Sequence, residues 1–301
     1  MNKSQKQTDA LKEMVKKKYA RISKQSAEQN ASSCCGAGGS SGKVYNIMTD
    51  DYSKVKGYNS DADLGLGCGL PTQFAKIEKG DTVIDLGSGA GNDCFVARHE
   101  TGSNGKVLGI DFTESMITKA RKNAEKLGFN NVEFRYGDIE SMPVSDGLAD
   151  VIVSNCVLNL VPDKEKVFSE ILRVLKPGGH FSISDIVLVG DLPDALAEDA
   201  EMYAGCVAGA IQKRTYLGYI RQLGFEDISL QKEKPVVIPD DILSRYLTDE
   251  EINEFKNGET GIYSITVYAR KPGKETVSGS TEKPEMITKS GLTCEPGSGC
   301  C

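Results

Sequence analysis

The sequence predicts an α/β fold in which helices cover both faces of a doubly wound, mostly parallel sheet. Two observations carry this prediction: short apolar strands alternate with amphipathic helix patterns between residues 82 and 189, and a glycine-rich loop joins the first strand to the first helix. The pattern changes after residue 190 and predicts a smaller C-terminal α+β region. A chain of 301 residues, 39% of them hydrophobic, can bury a large core without a disulfide framework.

The first 80 residues precede this alternation. Residues 1–43 combine a basic helix with a Gly/Ser-rich linker. Apolar residues recur at helical spacing in the helix: Met14, Val15, Tyr19 and Ile22. Its basic residues form either a solvated face or a surface for an acidic partner. Residues 44–80 are predicted to be irregular, because glycines and a proline interrupt them.

The central strands and helices follow in order. The predicted strands are 82–86, 106–111, 132–136, 149–155 and 180–189. One helix is predicted over 91–101. A second begins at Thr113, which can cap it, and ends at Gly128. A third begins after Pro162-Asp163 and runs to Pro177-Gly178-Gly179.

The C-terminal third has a mixed pattern. Helices are predicted over 193–211 and 214–223, and strands over 228–238 and 261–271. Residues 272–301 are rich in Gly, Ser, Thr and Lys and predict a flexible tail that contains Cys294, Cys300 and Cys301. The tail cysteines either capture a soft ion or are incidental.

Composition excludes several classes of protein. The net charge is −7, which argues against a general nucleic-acid partner. No apolar run approaches the roughly 18 residues of a spanning helix, so we expect no membrane partner and a cytoplasmic location. The nine cysteines are an odd number in a large chain and make a poor disulfide scaffold. The two histidines, His99 and His180, offer little for a His-rich metal site or a catalytic triad.

The loop after the first strand has features of a nucleoside-binding site. Gly87, Gly89 and Gly91 form a G-x-G-x-G pattern that lets the chain turn and a ligand approach the backbone. Asn92 stands where a dinucleotide fingerprint needs its third glycine. Asp85, just before the loop, would repel a pyrophosphate but suits an ammonium group. An acidic residue at the end of the second strand can bind both ribose hydroxyls, and that residue is Asp111.

These motifs together resemble the class I S-adenosylmethionine (SAM) methyltransferases, which have a Rossmann-like fold. The third matching motif is Gly137-Asp138-Ile139, after the third strand. The resemblance implies that the three glycines contact the methionine portion of SAM and that Asp111 binds its ribose. It further implies roles around the adenine and at the methionine end, for Asp138, Ile139, Met116 and Asn155. Met116 fits a core position equally well.

Three cysteines lie in segments that cover the predicted cofactor edge of the sheet: Cys68, Cys156 and Cys206. Three converging thiolates in a chain with few histidines suit a soft, thiophilic centre. Zinc is the rival, but structural zinc sites favour paired C-x-x-C spacing, which the chain lacks. Taken singly, a cysteine is often a small buried hydrophobic residue, and Cys94 on the first predicted helix is interpreted so.

The cysteines and the SAM motifs together resemble the arsenite methyltransferases. The matching segments are SSCCG, LGCGLP, LGSGAGNDCF, SNCVLNL, SDIV and YAGCVAGA, and they span roughly residues 32–230. The resemblance implies that Cys68, Cys156 and Cys206 bind trivalent arsenic, delivered as arsenite or its thiol conjugates. It assigns Cys34 or Cys35 to the thiol chemistry, and thioredoxin or glutathione as the reductant.

This resemblance also implies how the chain is organised and what it does. Residues 44–230 form the SAM-binding domain with the thiol site, and 231–271 a C-terminal region. The implied activity is methylation of arsenite in arsenic detoxification. One alternative is a SAM-dependent methyltransferase of an organic molecule, such as a quinone or sterol precursor. Another is a non-enzymatic thiol protein that sequesters arsenic.

Overall fold

A computed structural model describes residues 3–25, 50–197, 209–258 and 260–273. Its strands are β1 Thr82–Leu86, β2 Lys106–Asp111, β3 Val132–Tyr136, β4 Ala149–Asn155, β5 Leu175–Val189, β6 Ile211–Gln212, β7 Glu226–Pro235 and β8 Gly261–Arg270. Its helices are α1 Lys3–Ile22, α2 Pro71–Phe74, α3 Asn92–Thr101, α4 Glu114–Lys126, α5 Lys164–Val174, α6 Asp194–Ala197, α7 Lys213–Gln222, α8 Asp240–Leu243 and α9 Asp249–Asn257. A 3₁₀ turn covers Leu158–Leu160.

The sheet has the strand order β3-β2-β1-β4-β5-β8-β7, with β6 beside β5. Strands β1 to β5 pair in parallel, and β8 pairs antiparallel with both β5 and β7. The order reverses between β1 and β4, which lie side by side although β2 and β3 separate them in sequence. Open α/β sheets bind ligands at the carboxyl ends of such strands. The predicted doubly wound, mostly parallel sheet is confirmed.

Apolar side chains cover both faces of this sheet. One cluster joins β4 and β5 to α5 and α7 and contains Phe168, Phe181 and Tyr216. A second joins the other face to α3 and α4 and contains Phe95 and Phe134. Strands buried on both faces become nearly continuous apolar runs in the sequence, which is why they were predictable. None of the helices in the described part of the chain combines the length and apolar composition needed to span a bilayer.

The boundary between α5 and β5 differs from the prediction. Helix α5 ends at Val174, and β5 begins at Leu175 instead of residue 180. Leu175 is extended and pairs with Ala149. The pairing register then shifts between Ala149 and Val151, and this irregularity accommodates Pro177, Gly178 and Gly179. Pairing with β4 therefore ends the helix before Pro177 is reached.

The C-terminal part also departs from the predicted pattern. The helix predicted over 193–211 is described only over Asp194–Ala197, and Ile211 belongs to β6, so its predicted end is wrong. Strand β7 ends at Pro235, three residues before the predicted end. Helices α8 and α9 were not predicted. The apolar side chains of this region, including Ile238, Leu243 and Ile252, pack in one cluster with Cys68 and Cys156.

Candidate active site

A cleft opens at the carboxyl ends of β1, β2 and β4. Eight of the nine predicted cofactor residues line it: Asp85, Gly87, Gly89, Asp111, Met116, Asp138, Ile139 and Asn155. Gly91 does not. It precedes α3 with φ 100°, and a Cβ there would lie 2.9 Å from the rings of Phe95 and Phe134. The structure therefore gives Gly91 a packing role between the helix and the sheet.

Asp111 fixes the shape of the glycine loop. One of its carboxylate oxygens accepts the backbone N–H of Gly89 at 3.0 Å, and the other accepts that of Thr113 at 2.7 Å. Gly87 has φ 68°, and a Cβ on it would lie 2.4 Å from a methyl group of Val157. Thr113 precedes α4 as predicted, but its side chain makes no capping bond.

Buried carboxyl groups concentrate in the wall of the cleft. Burial, reinforced by the neighbouring Asp93, raises the pKa of Asp85 well above its usual value. Burial also raises the pKa of Asp93 to about 6 and that of Asp111 above its ordinary range. A cation in the cleft would stabilise the charged form of these acids. The Cys94 thiol donates to Asp85 at 3.2 Å.

The cleft fits SAM in both charge and hydrogen bonding. SAM carries an ammonium and a sulfonium, which suit the acidic wall. The buried Ser88 hydroxyl, which lines the cleft, has no hydrogen-bond partner among the described residues. Such a buried polar atom is costly unless a ligand or water completes its bonding.

Two thiols lie beside the cleft. Cys156 follows β4, lines the cleft and is 3% exposed, and Cys68 is fully buried in the same apolar cluster. Cys156 adopts φ 61°, a left-handed conformation that is uncommon for a non-glycine residue and often marks a functional site. Its backbone N–H donates to the carbonyl of Ser184 at 2.8 Å. The fold thus brings Cys68 and Cys156 to the predicted edge of the sheet.

The remaining predicted thiol ligands, Cys206, Cys34 and Cys35, lie outside the described residues. Among the residues that the structure describes, no group of three His, Cys, Asp or Glu side chains is placed to hold a metal ion. Neither histidine lines the cleft. The ring Nε2 of His180 lies 2.6 Å from the Ala75 carbonyl oxygen, and His99 is exposed.

The sequence analysis missed several polar residues of the cleft, among them Tyr52 and Asp93. The Tyr52 hydroxyl donates to the carboxylate of Asp93 at 2.8 Å, and both residues line the cleft. Asp93 had a sequence signal, since it directly follows the glycine loop at the start of α3. Tyr52 had no such sequence signal, because it lies in a segment without regular secondary structure.

Comparison with known proteins identifies the family. Residues 77–229 match a family described as a methyltransferase domain. An arsenite methyltransferase from Halobacterium salinarum is 38% identical over 280 residues, which cover 89% of this chain and 68% of that protein. Another, from Aquipseudomonas alcaligenes, is 35% identical, over 79% of this chain and 69% of that protein. The chain belongs to the arsenite methyltransferase family.

A solved structure agrees with this membership in the arsenite methyltransferase family. The crystal structure of an arsenic (III) S-adenosylmethionine methyltransferase from Chlamydomonas reinhardtii is 31% identical and superposes with a TM-score of 0.58. The match covers 75% of this chain and 72% of that one. The protein is therefore an enzyme with the class I methyltransferase fold, and SAM is its methyl donor.

In this member of the arsenite methyltransferase family, α1 lies over one end of the cleft. The Lys12 ammonium lies 2.7 Å from Oδ2 of Asp138 and also pairs with Glu140. The other Asp138 oxygen accepts the backbone N–H of Glu140 at 2.9 Å. Both oxygens of the predicted adenine partner are therefore already engaged within the chain.

We expect Lys12→Met to raise the affinity for S-adenosylhomocysteine, the demethylated cofactor, about two- to tenfold. The substitution keeps the apolar stem but removes the ammonium that competes for Asp138, an effect of the size of a partly exposed ion pair. Isothermal titration calorimetry measures it. Lys17→Met on the same helix is the control, since Lys17 is 76% exposed and, among the described residues, has Glu13 at 3.9 Å as its one ion-pair partner. A weaker affinity in Lys12→Met would show that Lys12 assists binding instead.

The carboxyl group of Asp185 is buried within strand β5. Its oxygens accept the backbone N–H of Ile186 at 3.0 Å and the Tyr216 hydroxyl at 3.4 Å. Burial raises the pKa of Asp185 to about 7, although the positive charge of Lys164 opposes the shift. The folded protein therefore holds a proton that an unfolded aspartate releases near its ordinary pKa of 3.8.

We expect Asp185→Asn to flatten the dependence of stability on pH. Between about pH 4 and pH 7 the folded Asp185 binds more protons than the unfolded one, so its contribution to stability falls as pH rises through this window, by at most about 1.4 kcal/mol per pH unit. Urea unfolding at pH 5 and pH 7 should show a smaller fall in the variant than in the wild type. Asp146→Asn at an exposed site is the control. An equal fall in wild type and Asp185→Asn contradicts the prediction.

Proposed function

We propose that the protein transfers the methyl group of SAM to trivalent arsenic held by the thiolates of Cys68, Cys156 and Cys206, and so forms methylated arsenicals. The observation that carries the proposal is the position of Cys156. It lines the acidic cleft and also packs in the same apolar cluster as Cys68. A thiophilic substrate held there lies at the edge of the cofactor cleft.

Each part of the cleft suits one part of the cofactor. We assign the ammonium group to Asp85, with Asp93 beside it, and the methionine portion to the loop of Gly87 and Gly89. Asp111 is assigned to the ribose hydroxyls. Asp138, with Ile139 and Met116, is assigned to the adenine, and Asn155 to the methionine end. When bound, SAM supplies an electrophilic methyl group.

The chemistry of arsenic explains why the site needs few acid–base groups. Trivalent arsenic bound by three sulfurs is pyramidal and keeps a lone pair, so the nucleophile loses no proton. A cleft without a histidine in its wall is consistent with this. Thiolates are the soft ligands that such a centre prefers. The rate enhancement then comes mainly from holding the arsenic and the methyl donor in line, which contributes several kcal/mol in favourable cases.

Turnover draws on residues and partners beyond the described part of the chain. We propose that Cys34 or Cys35 takes part in the thiol chemistry and that thioredoxin or glutathione supplies electrons through transient disulfides. We further propose that the protein works in the cytoplasm and serves arsenic detoxification. The motif resemblance to the arsenite methyltransferases supports these assignments.

The test is a methylation assay. The full chain is incubated with SAM, arsenite and excess thiol, and the arsenic species are separated by chromatography and detected by mass spectrometry. Methylated arsenicals that require SAM and intact Cys156 support the proposal. Binding of both ligands without methylated arsenic, under glutathione and thioredoxin alike, favours an organic acceptor. Arsenite binding that ignores SAM, with no product, favours sequestration.

A further inference from the structure

A chain of hydrogen bonds connects the Cys68 loop with the acidic wall of the cleft. The backbone N–H of Cys68 donates to Oδ1 of Asn155 at 3.0 Å. The Asn155 amide nitrogen donates to the hydroxyl oxygen of Tyr52 at 2.6 Å. Tyr52 in turn donates to Oδ1 of Asp93 at 2.8 Å, and the Asn155 amide also donates directly to Oδ2 of Asp93 over a longer 3.2 Å. Every donor points the same way, and the chain ends on a carboxylate.

The Cys68 loop fits closely against this chain. A Cβ on Gly67 would lie 2.7 Å from the Asn155 amide nitrogen, so a side chain there would push the two apart. The carbonyl of Gly69 accepts a second hydrogen bond from the Asn155 amide at 2.9 Å. The Ser264 hydroxyl donates to the carbonyl of Cys68. Asn155 therefore fixes the loop on both sides of the thiol.

We propose that Tyr52, Asp93 and Asn155 form a hydrogen-bond bridge through which the cofactor ammonium positions the Cys68 thiol, so that cofactor and arsenite bind with positive coupling. The inference rests on the proposed function, which supplies the two ligands. Tyr52 and Asn155 act here as positioning residues: neither needs to touch arsenic.

The coupling has a physical cause at each link. An ammonium beside Asp93 holds its carboxylate in one orientation, and a charged, oriented acceptor makes a stronger hydrogen bond with Tyr52. Donation by Tyr52 polarises its oxygen, which then accepts more strongly from Asn155. Burial and the nearby Asp93 raise the pKa of Tyr52 well above its usual value, so the phenol keeps the proton it donates. Without the cation, the Asp93 carboxylate is less firmly oriented, and the Cys68 loop is held less firmly as a result.

The experiment measures arsenite affinity of the full chain by calorimetry, with a phosphine as reductant because a thiol would compete for arsenite. S-adenosylhomocysteine carries the ammonium but has no methyl group to transfer. We expect it to raise arsenite affinity at least about fivefold, and arsenite to raise its affinity by the same factor. 5′-Methylthioadenosine keeps the adenosine and its thioether sulfur but lacks the amino-acid end, with its ammonium and carboxylate, and we expect less than about a twofold effect from it.

Tyr52→Phe tests the bridge itself. It removes the shorter link between Asn155 and Asp93 and leaves only their direct 3.2 Å contact. We therefore expect the coupling factor to fall below about two while arsenite affinity without the nucleoside changes less than about threefold. Tyr268→Phe, on β8 opposite Ser182, is the matched control and should keep the wild-type coupling. Asn155→Ala removes the middle residue of the bridge. It is the alternative test of coupling if Tyr52→Phe does not fold.

Three results would overturn the bridge. The first is an arsenite affinity of the wild type that is the same with and without S-adenosylhomocysteine. The second is an equal effect of the two nucleosides on arsenite affinity, and the third is wild-type coupling in Tyr52→Phe. Failure of the proposed function is distinguishable, because a protein that methylates arsenite but shows no coupling contradicts the bridge alone. A protein that binds no arsenite overturns both.

Discussion

We expect Cys156→Ser to lower the rate of arsenite methylation by at least about a hundredfold, because a hard hydroxyl replaces one of the three proposed soft ligands. The affinity for S-adenosylhomocysteine stays within about threefold, since the acidic wall and the glycine loop are unchanged. Serine has nearly the same size and the same backbone preferences as cysteine, so the left-handed conformation at φ 61° gains little extra strain. The measurement pairs the methylation assay with calorimetric titration of the nucleoside.

The control for this prediction is Cys294→Ser, which removes a tail thiol that lies outside the proposed set of three arsenic ligands. It should methylate at the wild-type rate. Equal methylation by Cys156→Ser and wild type would show that Cys156 is not an arsenic ligand. Loss of both methylation and nucleoside binding would show instead that the variant has lost the architecture of the cleft.

We expect Asp111→Ala to weaken binding of S-adenosylhomocysteine by at least about a hundredfold. Two effects add: the variant loses the proposed charge-assisted bonds to the ribose, each worth roughly 1.5–3 kcal/mol, and it releases the backbone N–H groups of Gly89 and Thr113. The glycine loop then loses the contact that holds it against the end of β2. Calorimetric titration of the nucleoside measures the loss.

Asp146→Ala is the control, because Asp146 is 79% exposed and pairs with Arg173 on the surface. Its nucleoside affinity should match that of the wild type. An affinity within about threefold of wild type in Asp111→Ala would contradict the assignment of the ribose to this carboxylate. Circular dichroism of both variants separates lost binding from lost folding.

The strand and helix pattern around the cleft could be predicted because its signals are local. Apolar runs marked β1 to β4, and the glycines and Asp111 marked the cofactor loop at the strand ends. The local sequence pattern predicted less well where pairing between strands decides whether a residue is helical or extended. Leu175 leaves α5 because β4 offers it a partner, and nothing in its immediate sequence indicates that pairing.

The same limit applied within the candidate site. The G-x-G-x-G pattern could not distinguish Gly91, which packs against Phe95 and Phe134, from Gly87 and Gly89, which line the cleft. Asp138 was expected to bind adenine, and its place in the cleft agrees with that. The Lys12 ammonium on its carboxylate was not foreseen, because 126 residues separate the two in sequence.

The sequence by itself determined the fold class, because hydrophobic periodicity carries that information. Its short motifs determined the family and the sequence positions of the candidate site residues. The tertiary structure alone decided that β8 lies between β5 and β7 and that Tyr52 reaches Asp93, 41 residues away. It also decided that Asn155 holds the Cys68 loop, across 87 residues. Such contacts depend on how whole elements pack against one another, and packing of distant segments leaves no periodic trace in the residues that make the contact.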